Sequence, residues 1–457
     1  MPFDNLRHSV AVIGGGISGL TTAFLLKEKG VDVTLLEKRD YPGGVIRSVQ
    51  TDGWLLERGP NTVMAKSERL WNLVQKLDLS EEIIQPGSEA SKRYIVKEGI
   101  PHALPTSLFE FIKSKLFSTS AKFRLFKEPF IPKSESPESI ANFFERRLGK
   151  EVLDYAVNPF VAGIYAGDPK KLSIAHTLSK VYELEQEFGS IVKGAVKSKG
   201  GSKSNKKLPR KGLISFNKGI QQLPARLGEH LGSSLHLESE VTAIQGDSQG
   251  WKVAIKGEQP QSFDAIMYTV PLHQLKSIDI DAVRHDLLDH LATLRYAPIA
   301  TTCFGFKREH IRHPLDGFGM LVPEVEPFNI LGCLFSSSLF KGRARGEHAL
   351  LTCFVGGDRN PEHVELPDNE IRAMVLEDLE ALLGCSGDPV FESIHRWKKA
   401  IPQYGLDYQT YLDAMDDFET QNPGFFFTGN FRKEVSVPGC IEQAYETADR
   451  AASFLQS

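Results

Sequence analysis

Several features that define other classes of protein are missing from this 457-residue chain. Its 5 cysteines stand apart and form no C-x-x-C pair, so the sequence predicts neither a disulfide framework nor a zinc site. No apolar run approaches the roughly 20 residues that span a bilayer. The formal net charge of −4 argues against nucleic acid as a partner. A strand-like run begins at Ser9, which leaves no room for a signal peptide and predicts a cytoplasmic location.

Residue sets that catalyse reactions unaided are also missing. No Ser-His-Asp set, metal cluster or pair of carboxylates stands out, and the 13 histidines are scattered. This favours a protein in which a bound cofactor supplies the chemistry. The chain is too long for one compact core, so two or three domains are expected.

The most informative stretch present runs from Ser9 to Glu37. It reads as a strand at Ser9–Ile13, a glycine turn, a helix from Ile17 to Lys29, and a second strand that Glu37 closes. Gly14, Gly16 and Gly19 match the G-x-G-x-x-G pattern of dinucleotide-binding turns. Such a turn lets a diphosphate sit on the helix N-terminus, and Glu37 lies where an acid would accept hydrogen bonds from an adenosine ribose.

The residues that follow indicate a longer cofactor than a nicotinamide dinucleotide. Gly43 and Gly44 precede Arg47, and Gly59–Thr62 follows a short hairpin. A second glycine loop with a cation suits FAD, since Arg47 can contact its phosphates; the alternative is a surface turn with a solvated arginine. Near the C-terminus, a buried strand within Gly424–Asn430 and a helix from Cys440 to Leu455 would aim a helix N-terminus at the flavin.

Longer stretches carry a family likeness. The segments GGGISGL, RGPNTV, KRYIVKEGIP, NPFVAGIYAGDP, LGCLFSSSLF and FVGG stand in this order along the chain. Together with GNF-x-x-x-VSVPGC, they resemble the FAD-dependent amine oxidase and protoporphyrinogen oxidase group over nearly the whole sequence. Val45 departs from an aromatic residue found in some members, which we interpret as tolerable.

The resemblance implies a set of site residues. For a tetrapyrrole substrate it implies contacts from Arg93, Gly163, Leu321, Leu334, Phe354 and Asn61, with Arg93 on a propionate. From spacing alone, Arg93 would be a solvated arginine, Gly163 a turn glycine, and the three large apolar residues part of a core. For FAD it implies contacts from Gly14, Gly15, Gly16, Ile17, Ser18, Gly19, Glu37, Lys38, Gly44, Val45, Arg47, Gly59, Pro60, Asn61, Thr62, Val241, Trp397, Gly429, Asn430, Val435, Ser436 and Val437.

The implied fold class is α/β, with a discontinuous Rossmann-like FAD-binding domain, a mixed-sheet substrate domain and a helical membrane-binding insertion. We expect the FAD domain to comprise residues 1–90, 208–272 and 398–457, the insertion residues 91–207, and the substrate domain residues 273–397. The polar, basic stretch Gly194–Lys211 is expected to be a flexible loop.

A basic, aromatic segment, Thr106–Pro132, suggests contact with a membrane surface. Phenylalanines and leucines alternate there with lysines and arginines, as in interfacial helices. The alternative is an ordinary helical lid with solvated lysines. We therefore expect a protein that lies peripherally on the inner face of the cell membrane.

The expected activity is oxidation of protoporphyrinogen IX by FAD, with dioxygen as the acceptor and hydrogen peroxide as a product. Hydride would pass from a meso carbon to flavin N5, and no protein base is assigned. A homodimer and transfer of the product to ferrochelatase are further partnerships that the resemblance allows. The alternatives are a coproporphyrinogen III oxidase, an amine oxidase, a carotenoid-type desaturase, or a membrane-associated flavoprotein that binds tetrapyrrole without turnover.

Overall fold

The computed structural model describes residues 8–105, 108–201, 212–247 and 250–457. The strands are β1 (Ser9–Ile13), β2 (Asp32–Leu36), β3 (Ser48–Thr51), β4 (Trp54–Glu57), β5 (Val63–Met64), β6 (Ile83–Ile84), β7 (Lys92–Lys97), β8 (Ile100–Ala103), β9 (Leu213–Phe216), β10 (Leu235–His236), β11 (Val241–Asp247), β12 (Gly250–Ile255), β13 (Gln261–Phe263), β14 (Ala265–Tyr268), β15 (Asp279–Asp281), β16 (Tyr296–Lys307), β17 (Gly317–Leu321), β18 (Ile330–Leu334), β19 (His348–Gly356), β20 (Phe391–Pro402) and β21 (Phe425–Phe427).

The α-helices are α1 (Ile17–Glu28), α2 (Glu68–Lys76), α3 (Leu108–Lys113), α4 (Thr119–Lys127), α5 (Ile140–Leu148), α6 (Lys150–Val152), α7 (Asn158–Tyr165), α8 (Ile174–Thr177), α9 (Ser179–Phe188), α10 (Ile191–Gly201), α11 (Gln222–Leu231), α12 (His285–Leu291), α13 (Ser336–Leu339), α14 (Asp368–Leu383), α15 (Tyr408–Gln421) and α16 (Val437–Phe454). A π-helical turn, Leu153–Val157, joins α6 to α7.

A five-stranded parallel sheet in the order β10-β2-β1-β14-β21 binds the two ends of the chain together. Its strands come from three separated stretches of sequence. The predicted strands before and after the first glycine turn are confirmed, as is the strand within Gly424–Asn430. The C-terminal helix begins at Val437, three residues earlier than expected.

Alternate residues of these strands enter two different hydrophobic layers. Val10 and Val12 pack with helices α1, α11 and α16, whereas Ala11 and Ile13 join the layer on the other side. This alternation follows from the pleat of a strand, and it explains why strands buried on both faces read as continuous apolar runs. Because all five strands are parallel, their carboxyl ends meet at one edge of the sheet, which is where parallel α/β sheets bind ligands.

A seven-stranded sheet in the order β20-β16-β19-β18-β17-β7-β8 forms the second large layer. The assignment of residues 91–103 to the helical insertion is wrong, because β7 pairs in parallel with β17 and β8 completes the edge. Likewise, β20 runs to Pro402, past the expected boundary at residue 397. A smaller sheet, β13-β12-β11-β15, contains Val241 at the start of β11 and Trp251 in β12.

Helices α3 to α10 form most of the segment between residues 108 and 201. A fully buried ion network connects α5, α9 and the turn after α4: the Arg147 guanidinium donates to Glu128 Oε1 at 2.7 Å and to Glu185 Oε1 at 2.5 Å. Residues 194–201 belong to α10, so the expectation of a loop is wrong there, and 202–211 lie outside the described residues. In the part of the chain that the structure describes, no helix is both long enough and apolar enough to cross a membrane.

Candidate cofactor and substrate site

The first glycine turn forms an open cradle at the N-terminus of α1. Gly14 has φ +106°, and a Cβ there would lie 2.7 Å from Val270 Cγ1, so glycine is required. A Cβ on Gly16 would meet nothing within 4 Å, and no side chain caps the helix. The first backbone N–H groups of α1 therefore face open space, which is the arrangement that receives a phosphate.

The Glu37 carboxylate stabilises this turn by hydrogen bonds. It is buried and accepts hydrogen bonds from Gly15 N at 2.6 Å and from Arg39 N at 2.9 Å. Ser239 N donates to Glu37 O at 2.9 Å, which brings the start of β11, with Val241, beside Lys38. The role of Glu37 toward a ribose stays a prediction, and its contacts show a second role in shaping the turn.

The second glycine loop lies directly on the first. Gly43 N donates to Gly15 O at 2.7 Å, and Gly43 forms a parallel bridge with Gly16. Arg39 Nη1 donates to Gly44 O at 2.8 Å. The Arg47 guanidinium lies 4.4 Å from the Tyr41 ring centroid. Its contact with a phosphate of the cofactor stays a prediction. Val45, next to Gly44, is exposed.

The loop Gly59–Thr62 joins this region to the seven-stranded sheet. Arg58 N donates to Arg47 O at 2.8 Å, while Trp397 Nε1 donates to Arg58 O at 2.7 Å. Asn61 Nδ2 bonds Gly59 O at 3.0 Å, and Asn61 lines a small cavity together with Leu334. Pro60 and Thr62 lie in the same loop.

The loop after Gly429 and the start of α16 form the C-terminal part of the site. Tyr404 and Tyr408 donate hydrogen bonds to the carbonyl oxygens of Asn430 and Phe431, which fixes the loop after Gly429. Val435 and Ser436 follow, and Ser436 caps α16 by accepting from Gly439 N at 3.1 Å. Ile17 and Val437 share one hydrophobic cluster, so the N-termini of α1 and α16 lie side by side.

Three arginines and a histidine near this cradle have no acidic partner. Arg39, Arg47 and Arg58 form no ion pair with a carboxylate in the described ranges, and Arg58 Nε and His395 Nε2 are buried without a hydrogen-bond partner. Burial, followed by the charges of Arg58, Arg47 and Arg39, lowers the pKa of His395 to about 4. Three cations without a carboxylate partner, together with two buried atoms that lack a hydrogen bond, fit an anion, and the open helix end fits a diphosphate.

Four of the six substrate residues expected from the sequence, Arg93, Leu321, Leu334 and Phe354, lie on one face of the seven-stranded sheet. Register partners on neighbouring strands share a face. One row places Phe354, Gly332 and Leu321 opposite each other, and a second row places Leu334, Gly319 and Arg93 together. The first row continues through Thr301 to His395, next to Trp397. His395 and Leu321 are four strand spacings apart, about 19 Å.

Helix α7 lies against this face. A Cβ on Gly163 would lie 2.6 Å from Leu321 Cδ2, so the helix approaches the strand closely there. Phe160 and Ile164 flank Gly163 and are exposed at 44% and 43%. We had not predicted these two residues, although their spacing of four places them on one helix face.

Arg93 is the cation available at the far end of the face. Its guanidinium lies 5.5 Å from the Phe318 ring and has no carboxylate partner among the described residues. Lys97 lies four residues after Arg93 on β7, on the same face of the strand. Its ammonium group forms an ion pair with Glu151 at 3.1 Å, which neutralises its charge. Arg93 is thus free to bind an anionic group of a ligand.

The cradle, the second glycine loop and the paired helix N-termini define a dinucleotide-binding flavoprotein that uses FAD. The residues present fit that cofactor: the cradle and arginines would hold its diphosphate, and the loops at Gly59 and Gly429 would flank its ring system. The chain matches the family of flavin containing amine oxidoreductases over residues 17–453. It belongs to that family and is an FAD-dependent oxidoreductase.

Individual relatives narrow the comparison. The chain is 37% identical to the mitochondrial protoporphyrinogen oxidase of Nicotiana tabacum, over 99% of this chain and 97% of that protein. It is 27% identical to the coproporphyrinogen III oxidase of Bacillus subtilis (strain 168), over 99% and 100% of the two chains. A solved structure from Exiguobacterium sp. 255-15 superposes with a TM-score of 0.83 at 24% identity, covering 99% and 100% of the two chains. These findings confirm the family, the flavin and the relation to porphyrin-forming enzymes.

Proposed function

We propose that this protein oxidises protoporphyrinogen IX to protoporphyrin IX with FAD and dioxygen. One observation supports this most strongly: a largely apolar sheet face leads from the FAD cradle to Arg93, which has no carboxylate partner among the described residues. A porphyrinogen is a broad apolar ring system with carboxylates at one edge, so it matches a wall of leucine, phenylalanine and glycine that ends at Arg93. The relatedness to protoporphyrinogen oxidases at 37% identity agrees with this substrate.

The protein's own contribution is binding and exclusion of water. Leu321, Leu334 and Phe354 are half-buried and would contact the macrocycle, while Gly163 lets α7 approach it closely. Arg93 would hold a propionate and fix which edge of the ring points away from the cofactor. FAD, when bound, accepts hydride from such a substrate and passes the electrons to dioxygen, which gives hydrogen peroxide.

The activity can be tested directly with purified protein. Protoporphyrinogen should yield fluorescent porphyrin in air, with peroxide formed in step and with a reduced flavin absorbance when oxygen is excluded. A yellow protein that binds the tetrapyrrole but forms neither porphyrin nor peroxide would instead be a carrier, and the oxidase proposal would be refuted.

Coproporphyrinogen III is the second candidate substrate, because a coproporphyrinogen III oxidase is among the full-length relatives. This substrate carries four propionates, whereas protoporphyrinogen carries two. Of the cations identified on the substrate face, Arg93 is unpaired and Lys97 is engaged with Glu151. The face therefore favours the less anionic substrate.

We also propose that the protein works at a membrane surface. Phe123, Phe126 and Phe130 project from α4 and the turn after it, and they are exposed at 64%, 73% and 85%. Lys193 of α10 lies 5.8 Å from the Phe130 ring, so apolar and cationic groups are adjacent there. Aromatic side chains with neighbouring lysines suit the interface of an anionic bilayer.

Other residues of the predicted membrane segment have a different role. Leu116 and Phe117 are buried in the core, so their assignment to a membrane-facing surface is wrong. Thr106 and the side chains of Phe109 and Ile112 lie outside the described residues. The proposed contact surface is accordingly limited to the tip formed by α4 and the turn Glu128–Phe130.

Sedimentation with vesicles tests this surface. The full-length protein should pellet with vesicles that contain phosphatidylserine, and replacing all three phenylalanines of the tip by serine should release it. Replacing Val283 and Val390, which are exposed elsewhere, serves as the matched control and should not. Equal binding of the tip variant and the control would contradict the proposal. The location on the inner face of the cell membrane, the homodimer and the transfer to ferrochelatase stay predictions.

A further inference from the structure

We propose that Arg58 and His395 belong to the binding site for the diphosphate of the cofactor, and that His395 donates a hydrogen bond to it from Nε2. Neither residue was identified from the sequence. These two roles rest on the proposed function in one respect, which is that FAD occupies the cradle.

The first observation is a pair of buried donors that have no acceptor. Arg58 Nε and His395 Nε2 are both shielded from solvent and lack a hydrogen-bond partner. Buried polar atoms almost always have a partner, so such atoms in a native protein indicate a missing ligand or water. Arg58 Nε is a donor, and His395 Nε2 is a donor in one of its two neutral tautomers, so an acceptor placed between them would satisfy both atoms.

The second observation is the position of the pair beside the glycine cradle. The His395 ring packs edge-on against Trp397 with centroids 4.6 Å apart, and the Arg39 guanidinium lies 5.8 Å from the Trp397 ring. Arg39 in turn donates to Gly44 O at 2.8 Å, and Gly44 approaches Gly16 at the start of α1. A continuous path of contacts therefore connects His395 to the helix N-terminus that faces open space.

The third observation is the charge around His395. The charged groups that act on it are Arg39, Arg47 and Arg58, and all three are cations. Its partner across the sheet, Thr301, is neutral. Three cations with no carboxylate partner would repel one another unless an anion lay among them. A diphosphate supplies two negative charges and only acceptor oxygens, which matches the donors present.

This geometry would couple binding of the cofactor to uptake of a proton. Burial, and then the charges of the three arginines, lower the pKa of His395. A diphosphate would offset those charges and raise this pKa. Binding of FAD would then be accompanied by uptake of a proton. Affinity for FAD should therefore weaken as pH rises through the pKa that His395 has in the complex, and a buried histidine with only a packing role would show no such dependence.

Dissociation of FAD from the full-length holoenzyme, followed by the rise in flavin fluorescence on dilution, tests the proposal. His395→Phe removes the donor and should raise the Kd for FAD by about ten- to hundredfold, as expected for a hydrogen bond to a charged group. His395→Gln keeps an N–H donor and should recover part of this loss without the pH dependence. Arg58→Met should weaken binding in the same way.

His363→Phe is the matched control, because His363 also has a buried, unpartnered ring nitrogen but lies in the turn Pro361–Glu365. It should leave the Kd unchanged. ADP carries the diphosphate without the flavin, so the Kd for ADP should rise in the His395 and Arg58 variants by a similar factor.

An unchanged Kd for FAD and for ADP in folded His395→Phe and Arg58→Met protein would overturn the inference. So would a raised KM for tetrapyrrole with unchanged FAD affinity, since the donors would then serve a substrate carboxylate. Absence of porphyrinogen turnover in wild-type protein with normal FAD affinity would refute the proposed function and leave this inference intact.

Discussion

Replacing Arg93 by alanine tests the substrate orientation proposed for the sheet face. Arg93 shares a row with Gly319 and Leu334, and its guanidinium has no carboxylate partner among the described residues. A hydrogen bond between charged groups contributes about 1.5–3 kcal/mol, and solvent exposure of Arg93 places the expected loss near the lower end. KM for protoporphyrinogen should therefore rise about tenfold, with little change in kcat and with FAD fully retained.

Lys92→Ala is the matched control for this variant. Lys92 precedes Arg93 on β7, so it points to the opposite face, where it pairs with Asp316. Steady-state kinetics of both variants, together with the flavin absorbance of each, separate substrate binding from cofactor loss. If Arg93→Ala leaves KM unchanged, or if Lys92→Ala raises it equally, the proposed role in binding a propionate is refuted.

Three further changes test other parts of the account. Gly163→Val should lower kcat/KM about tenfold with FAD retained, because a Cβ there lies 2.6 Å from Leu321 Cδ2 and overpacking costs about 1–3 kcal/mol; activity equal to wild type in steady-state assays would contradict this. Arg147→Met removes the guanidinium from two buried carboxylates, of which Glu185 keeps its ion pair with Arg146 and Glu128 keeps hydrogen bonds alone. It should destabilise the protein by about 3 kcal/mol in chemical denaturation, and an unchanged midpoint would argue against the network. Burial raises the pKa of the Glu57 carboxyl from 4.5 to about 7, so between these pH values the folded state keeps a proton that the unfolded state releases. The free energy of unfolding of the wild type should therefore fall by about 3 kcal/mol, relative to that of Glu57→Gln, as pH rises across this range. Parallel pH profiles of the two proteins would refute this.

The sequence predicted best those parts of the fold that local patterns determine. The turn from Gly14 to Gly19, the helix after it and the acid at Glu37 follow from glycine spacing and strand length, and the structure has all of them. The second glycine loop was also recognised as part of the same site, and its hydrogen bond to Gly15 confirms the contact.

Features that depend on distant pairing could not be predicted in this way. The strands β7 and β8 join a sheet through β17, more than 200 positions away, and nothing in their own sequence distinguishes them from an extension of the helical segment. Arg58 and His395 were missed for the same reason. Their neighbours in sequence indicate no shared role, and only the fold brings Arg58 and His395 to the same side of the glycine cradle.

In the basic segment at residues 106–132, composition did not predict which side chains are exposed. Its alternation of aromatic and basic residues predicted one amphipathic surface, yet Leu116 and Phe117 are buried while Phe126 and Phe130 are exposed. The helix breaks before α4, so residues that alternate in sequence do not share a continuous face. Interface candidates therefore had to be chosen from exposure in the folded chain.

The central claim is that the face between the FAD cradle and Arg93 binds and oxidises a dicarboxylate porphyrinogen. The most direct measurement is a comparison of kcat/KM for protoporphyrinogen IX and coproporphyrinogen III with the same FAD-loaded protein, with porphyrin and peroxide both quantified. We expect turnover of both compounds or of the first alone, with protoporphyrinogen favoured and peroxide formed in proportion to porphyrin. A preference for coproporphyrinogen, or no oxidation of either compound by flavin-replete protein, would contradict it.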